Sequence, residues 1–395
     1  MRNVTREDLW LWAALVFGTA SPHIKRMIRT YGNIETAYER LSGQDCEEEI
    51  KKQGLPIDSQ RALKMRLTPL SQCEMLKNYC AEKNINILHY DDENYPDTLR
   101  QIDQVPAVLF YRGNISLLKD KRAVAVVGAR KATDYSLRAA ETISGNLSEK
   151  GMIVVSGFAD GIDAAAHSGA GGRTIAVLGC GIDVDYPKNS RQRAGSILDA
   201  GGLLITEYLP GTLARPGNFP HRNRIIAALS LGVLVIQAGK KSGSLITAGM
   251  AADMGKDVFC IPTHDIFSRD YEGNTALLRD GAVPVFGAED ILDYYSGTYE
   301  YETMVFGETH EGDSDREDTE KQEVSEQRPE KSRYKTADPV ERAVLDVIAA
   351  EGGSVHIDVI AEKSGYDISD VLIALTMLEM GGAVSQQAGK LYKII

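Results

Sequence analysis

The sequence predicts an α/β protein: an extended Rossmann-like, mostly parallel sheet, with a small helical N-terminal domain before it and a C-terminal winged-helix-like module after it. Three observations carry that expectation. Between Ala123 and Pro262, apolar runs end one after another in turns of small and polar residues. Segments of helical periodicity, such as 135–149 and 190–200, lie between several of these runs. The helical pattern of residues 1–80 and the charge-rich stretch after residue 296 bound this core on either side. Strand and helix in alternation imply a sheet wrapped on both faces, with its ligand crevice at the carboxyl ends of the strands.

The elements follow in order. In residues 1–80, Leu9, Trp10, Trp12, Ala13 and Leu15 open one helix, and Ile24, Met27, Ile28 and Tyr31 mark a second before Gly32. Helical modules of this size bind duplex backbone through Gly-containing turns or serve only for packing. The turn FGTASPH lacks a GxG spacing, which favours packing. Residues 85–115 read as an extended lead-in broken by Pro96 and Pro106, with a short VLFY strand. The sheet domain spans 81–295. Residues 296–335 have few large apolar side chains and many charges, as a flexible acidic linker does. Three helical patterns and two short strands fill 336–395. The would-be recognition helix there carries Asp367, Asp370 and Glu379 and no Lys or Arg, so protein interaction is favoured over groove reading.

The formal net charge is -12, which argues against nucleic acid until its distribution is considered. Between Arg122 and Lys241 stand 14 Lys/Arg against nine Asp/Glu, so the sheet is locally basic. The five cysteines are scattered and never spaced as CxxC, as expected of free thiols in a reducing cytosol with no zinc site. No apolar run approaches the roughly 20 residues of a membrane helix, and the first residues lack a convincing cleavage site. A cytoplasmic protein without metal or cofactor is the expectation.

Chemistry concentrates in the turns. Gly128-Ala129-Arg130 follows the first core strand, but GARKAT lacks the second and third glycines of a dinucleotide fingerprint. Arg130 instead emerges where a guanidinium can clamp phosphate. In SGFADGIDAAAH, Asp160 suits an N-cap, and Asp160, Asp163 and His167 share a helix face. That trio is either an acid–base or metal set, or a structural hydrogen-bond network, which the close-packing Ala164–Ala166 favours. In LGCGIDVDYPKNS, Gly179 and Gly181 serve a tight turn or a close ligand approach, Tyr186 could stack on a base and Lys188 could reach a phosphate. In GNFPHRNRIIAALS, Phe219, Arg222 and Asn223 form a candidate base-and-backbone reader, while Arg224 falls on the other side of the helix. In GKKSGSLITAGMAA, Ser242, Gly243 and Ser244 open a helix behind Lys240 and Lys241, a ready anion site. It lacks the P-loop pattern, so nothing marks nucleotide hydrolysis.

Taken together, VVGARKAT, SGFADGIDAAAH, LGCGIDVDYP, FPHRNRIIAALS, SGSLITA and GNTALLRDGA resemble the DprA (Smf) family, the DNA-processing proteins of natural transformation. The resemblance covers residues 85–295. It implies a protein without catalytic turnover that binds and protects single-stranded DNA and loads the recombinase RecA onto it. The family's DNA pocket falls here on Gly128, Arg130, Phe219, Arg222, Asn223 and Ser242–Ser244. The segment Gly273–Leu292 stands where the family forms its homodimer and meets RecA, which points to Leu277, Leu278, Ile291 and Leu292. There are departures: Gln237 replaces a common acidic residue, and IPTHDIF replaces a more usual Pro-Gly.

The competing enzyme class is a nucleotide-processing phosphoribohydrolase on a related fold. That family carries PGGxGTxxE, whereas GKKSGSLITAGMAA here has no Glu at the catalytic place.

Overall fold

The computed structural model describes residues 4–296 except 189 and 264, and residues 338–394 except 352, 381–382 and 388–390. The acidic linker expected at 296–335 falls, from residue 297 on, outside the described residues. The chain divides into two compact units, Met1–Asp293 and Tyr294–Ile395.

Nine strands of the first unit form one sheet: β1 (Asn86–His89), β2 (Val108–Gly113), β3 (Ala123–Val127), β4 (Ile153–Ser156), β5 (Thr174–Val177), β6 (Leu203–Thr206), β7 (Gly232–Val235), β8 (Asp257–Cys260) and β9 (Val283–Pro284). Their spatial order is β1-β2-β6-β5-β4-β3-β7-β8-β9. From β6 across to β9 every neighbour is parallel. All residues of β3 to β7 are buried, which is why these strands read as unbroken apolar runs. The lead-in supplies two strands rather than one, and β1 and β2 extend the β6 edge antiparallel. Strand order reverses at β3, with β4 to β6 on one side and β7 to β9 on the other. The crevice of such a sheet lies at that switch point, beyond the carboxyl ends of β3 and β7.

Residues 6–82 form six helices, Arg6–Phe17, His23–Tyr31, Ile34–Leu41, Cys46–Lys52, Ser59–Leu67 and Leu70–Glu82. They share one continuous core with the sheet. Trp10 and Trp12 are fully buried; Trp12 Nε1 donates to Met65 O, and Trp10 Nε1 donates to Asp91 at 2.8 Å. The turn after the first helix is also committed to packing. Ala20 N donates to Glu207 Oε2 at 3.1 Å, and Glu207 holds the buried Arg224 guanidinium through two contacts of 2.6 Å. Arg224 therefore faces away from the strand-end turns, as its place two residues after Arg222 predicts.

Three expectations need correction. Asp160 does not cap the helix Ile162–Ala170, because Gly161 takes the N-cap position and Asp160 pairs with Arg193 at 2.9 Å. Gly161 is required there: its φ is 79°, and a Cβ would lie 2.4 Å from Ala129 O. At the β9 edge, Ile291 is fully buried and Leu277 packs against the core, so neither is an open interface residue. Leu278 and Leu292 are half-buried, and the side chain left exposed beside them is Phe286, at 79%.

The second unit has helices Pro339–Glu351, Ile357–Ser364 and Ile368–Met380. Strands β10 (Val355–His356), β11 (Val384–Gln387) and β12 (Leu391–Ile394) pair in the order β10-β12-β11. This is a winged helix. The two-residue β10 is too short to stand out from the helical pattern that follows it.

Candidate nucleic-acid interface

A crevice of about 700 Å³ opens at the switch point. Five segments line it: Val127–Lys131 after β3, Ala159 and Asp163 after β4, Tyr186 after β5, Ala214–Ile226 before β7, and Gly239–Thr247 after it. Arg130, Lys131, Arg215, Arg222, Lys240 and Lys241 face it, against a single carboxylate, Asp163. Such a concentration of one sign in a concave wall focuses potential on an anionic ligand.

At one end of the crevice lies the helix start expected from Ser242–Ser244. Ser242 caps the helix Gly243–Asp253, and its Oγ lies 2.7 Å from Ser244 Oγ. Ser242, Gly243 and Ser244 line the crevice at the start of that helix, where the helix dipole favours negative charge, and Ser244 N donates to the Ser242 hydroxyl at 3.4 Å. Asn274 holds the base of this turn. Fully buried, its amide donates to Ile236 O at 3.0 Å and Ile261 O at 2.9 Å, while its Oδ1 accepts from Ala238 N at 2.7 Å. On the facing side, Gln237 accepts from Thr133 N at 2.9 Å, and its carbonyl accepts from Ala129 N at 2.8 Å. Gln237, the departure from the family's acidic residue, is thus what fixes the Gly128–Thr133 turn.

The aromatic end is a stack. The Arg130 guanidinium lies 4.9 Å from the Phe219 ring centroid, and the Tyr186 ring lies 5.3 Å from Phe219. Gly179 makes room for Phe219, since a Cβ there would sit 2.8 Å from its ring. Gly181 likewise meets backbone at Leu209 and Gly211, so these glycines serve the protein's own packing rather than approach of a ligand. A smaller cleft of about 40 Å³ continues beneath Arg130, Tyr186 and Phe219 towards Gly157 and Cys180.

Arg222 differs from the expectation. It is 3% exposed and donates to Gly157 O at 2.5 Å and to Val177 O, the carboxyl ends of β4 and β5. Burial lowers its guanidinium to about 10, with Asp163 pulling the other way, so it stays charged at neutral pH. Arg222 therefore organises the crevice floor and is not a free reader of phosphate. Asp163 and His167 belong to the same buried network. Burial raises the Asp163 carboxyl although Arg222 lowers it, and its Oδ2 accepts from Ala159 N at 3.3 Å. His167 Nδ1 lies 2.7 Å from Thr174 Oγ1, and burial, then Arg193 and Arg222, lower the imidazole to about 3. The trio is not assembled as one set: His167 contacts Thr174, and Asp160 is turned to Arg193. Among the described residues no cluster of three His, Cys, Asp or Glu is placed to hold a metal, and all five cysteines are free and buried. No helix among them is long and apolar enough to cross a membrane.

The structure thus brings together Gly128, Arg130, Tyr186, Phe219, Arg222, Asn223, Lys240, Ser242, Gly243 and Ser244. Lys188 is exposed and does not line the crevice. Lys131 and Arg215 join the wall without having been singled out, although each sits in a turn already marked as chemical, and Lys241 joins it beside Lys240. Asn274 gave no signal of its own, because its partners are carbonyls of β7 and β8.

A doubly wound sheet whose switch point gathers cations, a helix start and aromatic side chains defines the fold as Rossmann-like, with a basic crevice at the strand ends. Comparison with known proteins narrows the class. The family model for DNA recombination-mediator protein A matches residues 86–296, and that for the DprA winged helix domain matches residues 328–390. A Smf protein of Synechocystis is 35% identical over 79% of this chain and 81% of its own length. DNA processing protein DprA of Streptococcus pneumoniae is 43% identical over 51% of this chain and 71% of its own length. The X-ray structure of the S. pneumoniae protein has TM-score 0.62 at 31% identity, covering 74% of this chain and 98% of that one. A Helicobacter pylori structure, described by its single-stranded DNA binding mode, has TM-score 0.50 at 31% identity, covering 54% and 96%. The chain belongs to the DNA processing protein A (DprA/Smf) family.

Proposed function

We propose that this protein binds single-stranded DNA in the switch-point crevice, protects it and loads RecA onto it in the cytoplasm during DNA uptake. One observation carries the reading: cations, a helix start and the Arg130–Phe219–Tyr186 stack converge on one crevice. Phosphates suit the former, and bases suit the latter at about 1–3 kcal/mol per stacked base, whatever the sequence. The H. pylori relative, described by its single-stranded DNA binding mode, supports the choice of ligand. Asp160 is paired to Arg193 and Asp163 accepts from Ala159 N, contacts that favour a structural role for both and so binding over the phosphoribohydrolase alternative. Phe286, with Leu278 and Leu292 beside the last strand, is the face through which a homodimer forms, and RecA docks nearby. The test is binding of fluorescent single- and double-stranded oligonucleotides across a salt series. Single strands bind tighter, with log affinity falling by about 0.7 per phosphate contact for each unit of log salt. Equal affinity for duplex, or a flat salt response, overturns the reading.

A further inference from the structure

We infer that the third helix of the winged-helix unit, Ile368–Met380, is a docking face for a basic amphipathic helix of a partner protein. A winged helix that reads DNA carries cations and amide side chains on this helix. Here the inner side, with Val371, Leu375 and Leu378, is buried in the unit's own core. The outer side carries Leu372, Ile373 and Met377, at 49%, 62% and 55% exposure, and Ile368 at 51%. At about 100° per residue, Leu372, Thr376, Ile373 and Met377 lie on one continuous face. Glu379 falls on one flank of that face and Asp370 on the other.

An apolar centre rimmed by charge marks an interaction site rather than ordinary surface. The rim decides the occupant. The described residues of the unit from Asp338 on carry nine Asp/Glu against three Lys/Arg. One of those three, Lys363, is already paired with Glu351 at 2.5 Å. A phosphate backbone is repelled by such a surface, and a second copy of it sets acid against acid. A helix with apolar residues at i, i+3, i+4 and i+7 and Lys or Arg along its margins satisfies both the stripe and the rim. The proposal is independent of the crevice and of its ligand.

The test uses the full chain and a fluorescent peptide of leucine and lysine only, with leucines at i, i+3, i+4 and i+7. Fluorescence anisotropy is compared with that of a scrambled peptide of equal charge. The patterned peptide binds, and both scrambling it and the triple variant Leu372→Ser, Ile373→Ser, Met377→Ser weaken binding at least roughly tenfold, or about 1.4 kcal/mol. Circular dichroism checks that the variant folds. If it does not, Asp370→Lys with Glu379→Lys carries the decision and weakens the patterned peptide by a similar factor. Equal binding of patterned and scrambled peptides, or unchanged binding by folded variants, overturns the proposal. So does a fall in mass by light scattering in the triple variant, which makes the occupant a second copy, or a loss of duplex-DNA affinity in it.

Discussion

Arg130 and Arg222 belong to one crevice, yet the chain holds them in opposite ways. Arg130 stands at the rim, exposed, with its guanidinium over the Phe219 ring. Arg222 lies in the floor, its Nη1 donating to the carbonyl ends of β4 and β5 while its buried Nε makes no hydrogen bond. Both are cations in turns that follow or face strand ends, and by residue type alone they are interchangeable. What separates them is the reach of the helix Asn218–Leu229, whose second turn sits directly above the strand ends. A Cβ at Gly157 would lie 2.7 Å from the Arg222 guanidinium, so the strand passes close beneath it. The rim leaves its cation open to the crevice, and the floor uses its cation to join strand ends.

That contrast can be broken by experiment, beginning with the largest effect. Arg222→Ala leaves Asp163 buried without its cation and two carbonyls without a donor, and should cost about 3–5 kcal/mol of stability. Urea unfolding measures it. An unchanged midpoint with lost DNA affinity would move Arg222 to the rim. Arg130→Ala should do the reverse, lowering single-strand affinity roughly tenfold or more, since a charged hydrogen bond is worth about 1.5–3 kcal/mol. Its unfolding midpoint should stay put, and a shifted one would show that the rim also shapes the site.

The floor should also be sensitive to acid in a way the rim is not. His167 titrates near 3 when folded against 6.5 ordinarily, so between those values the unfolded chain takes up the proton and the folded chain does not. Stability therefore falls as pH drops from 6.5 towards about 3, by up to about 1.4 kcal/mol per pH unit from this group. His167→Asn should flatten that part of the stability–pH curve, and an unaltered slope would contradict the assignment. Smallest is Ser242→Ala, which removes a cap worth about 1 kcal/mol. It should weaken binding and stability together, because the anion-binding turn is both rim and helix start.

Much of this arrangement was legible in the chain. Unbroken apolar runs marked the buried parallel strands, and turns rich in Gly, Ser and cations marked their carboxyl ends. The Ser242–Ser244 helix start and the opposed directions of Arg222 and Arg224 followed from spacing, whereas the contact of Tyr186 with Phe219 did not. The burial of Arg222 did not, because a cation near a helix start reads as solvent-facing unless the carbonyls below it are known. Gly179 read as a tight turn or a close approach to a ligand, and what approaches it is Phe219, 40 residues away in the chain. At the β9 edge, a row of Leu and Ile could not reveal which side chains pack inward. Only the fold turns Ile291 inward and leaves Phe286 out.

Asn274 sits in the first turn of the helix Glu272–Arg279, beside the last strand, and its amide grips the ends of β7 and β8 and the Ala238 N–H. That one side chain ties the start of the outer helix to the backbone leaving β7 and β8 through three hydrogen bonds, the nearest of them two residues before the Lys240–Ser244 turn begins.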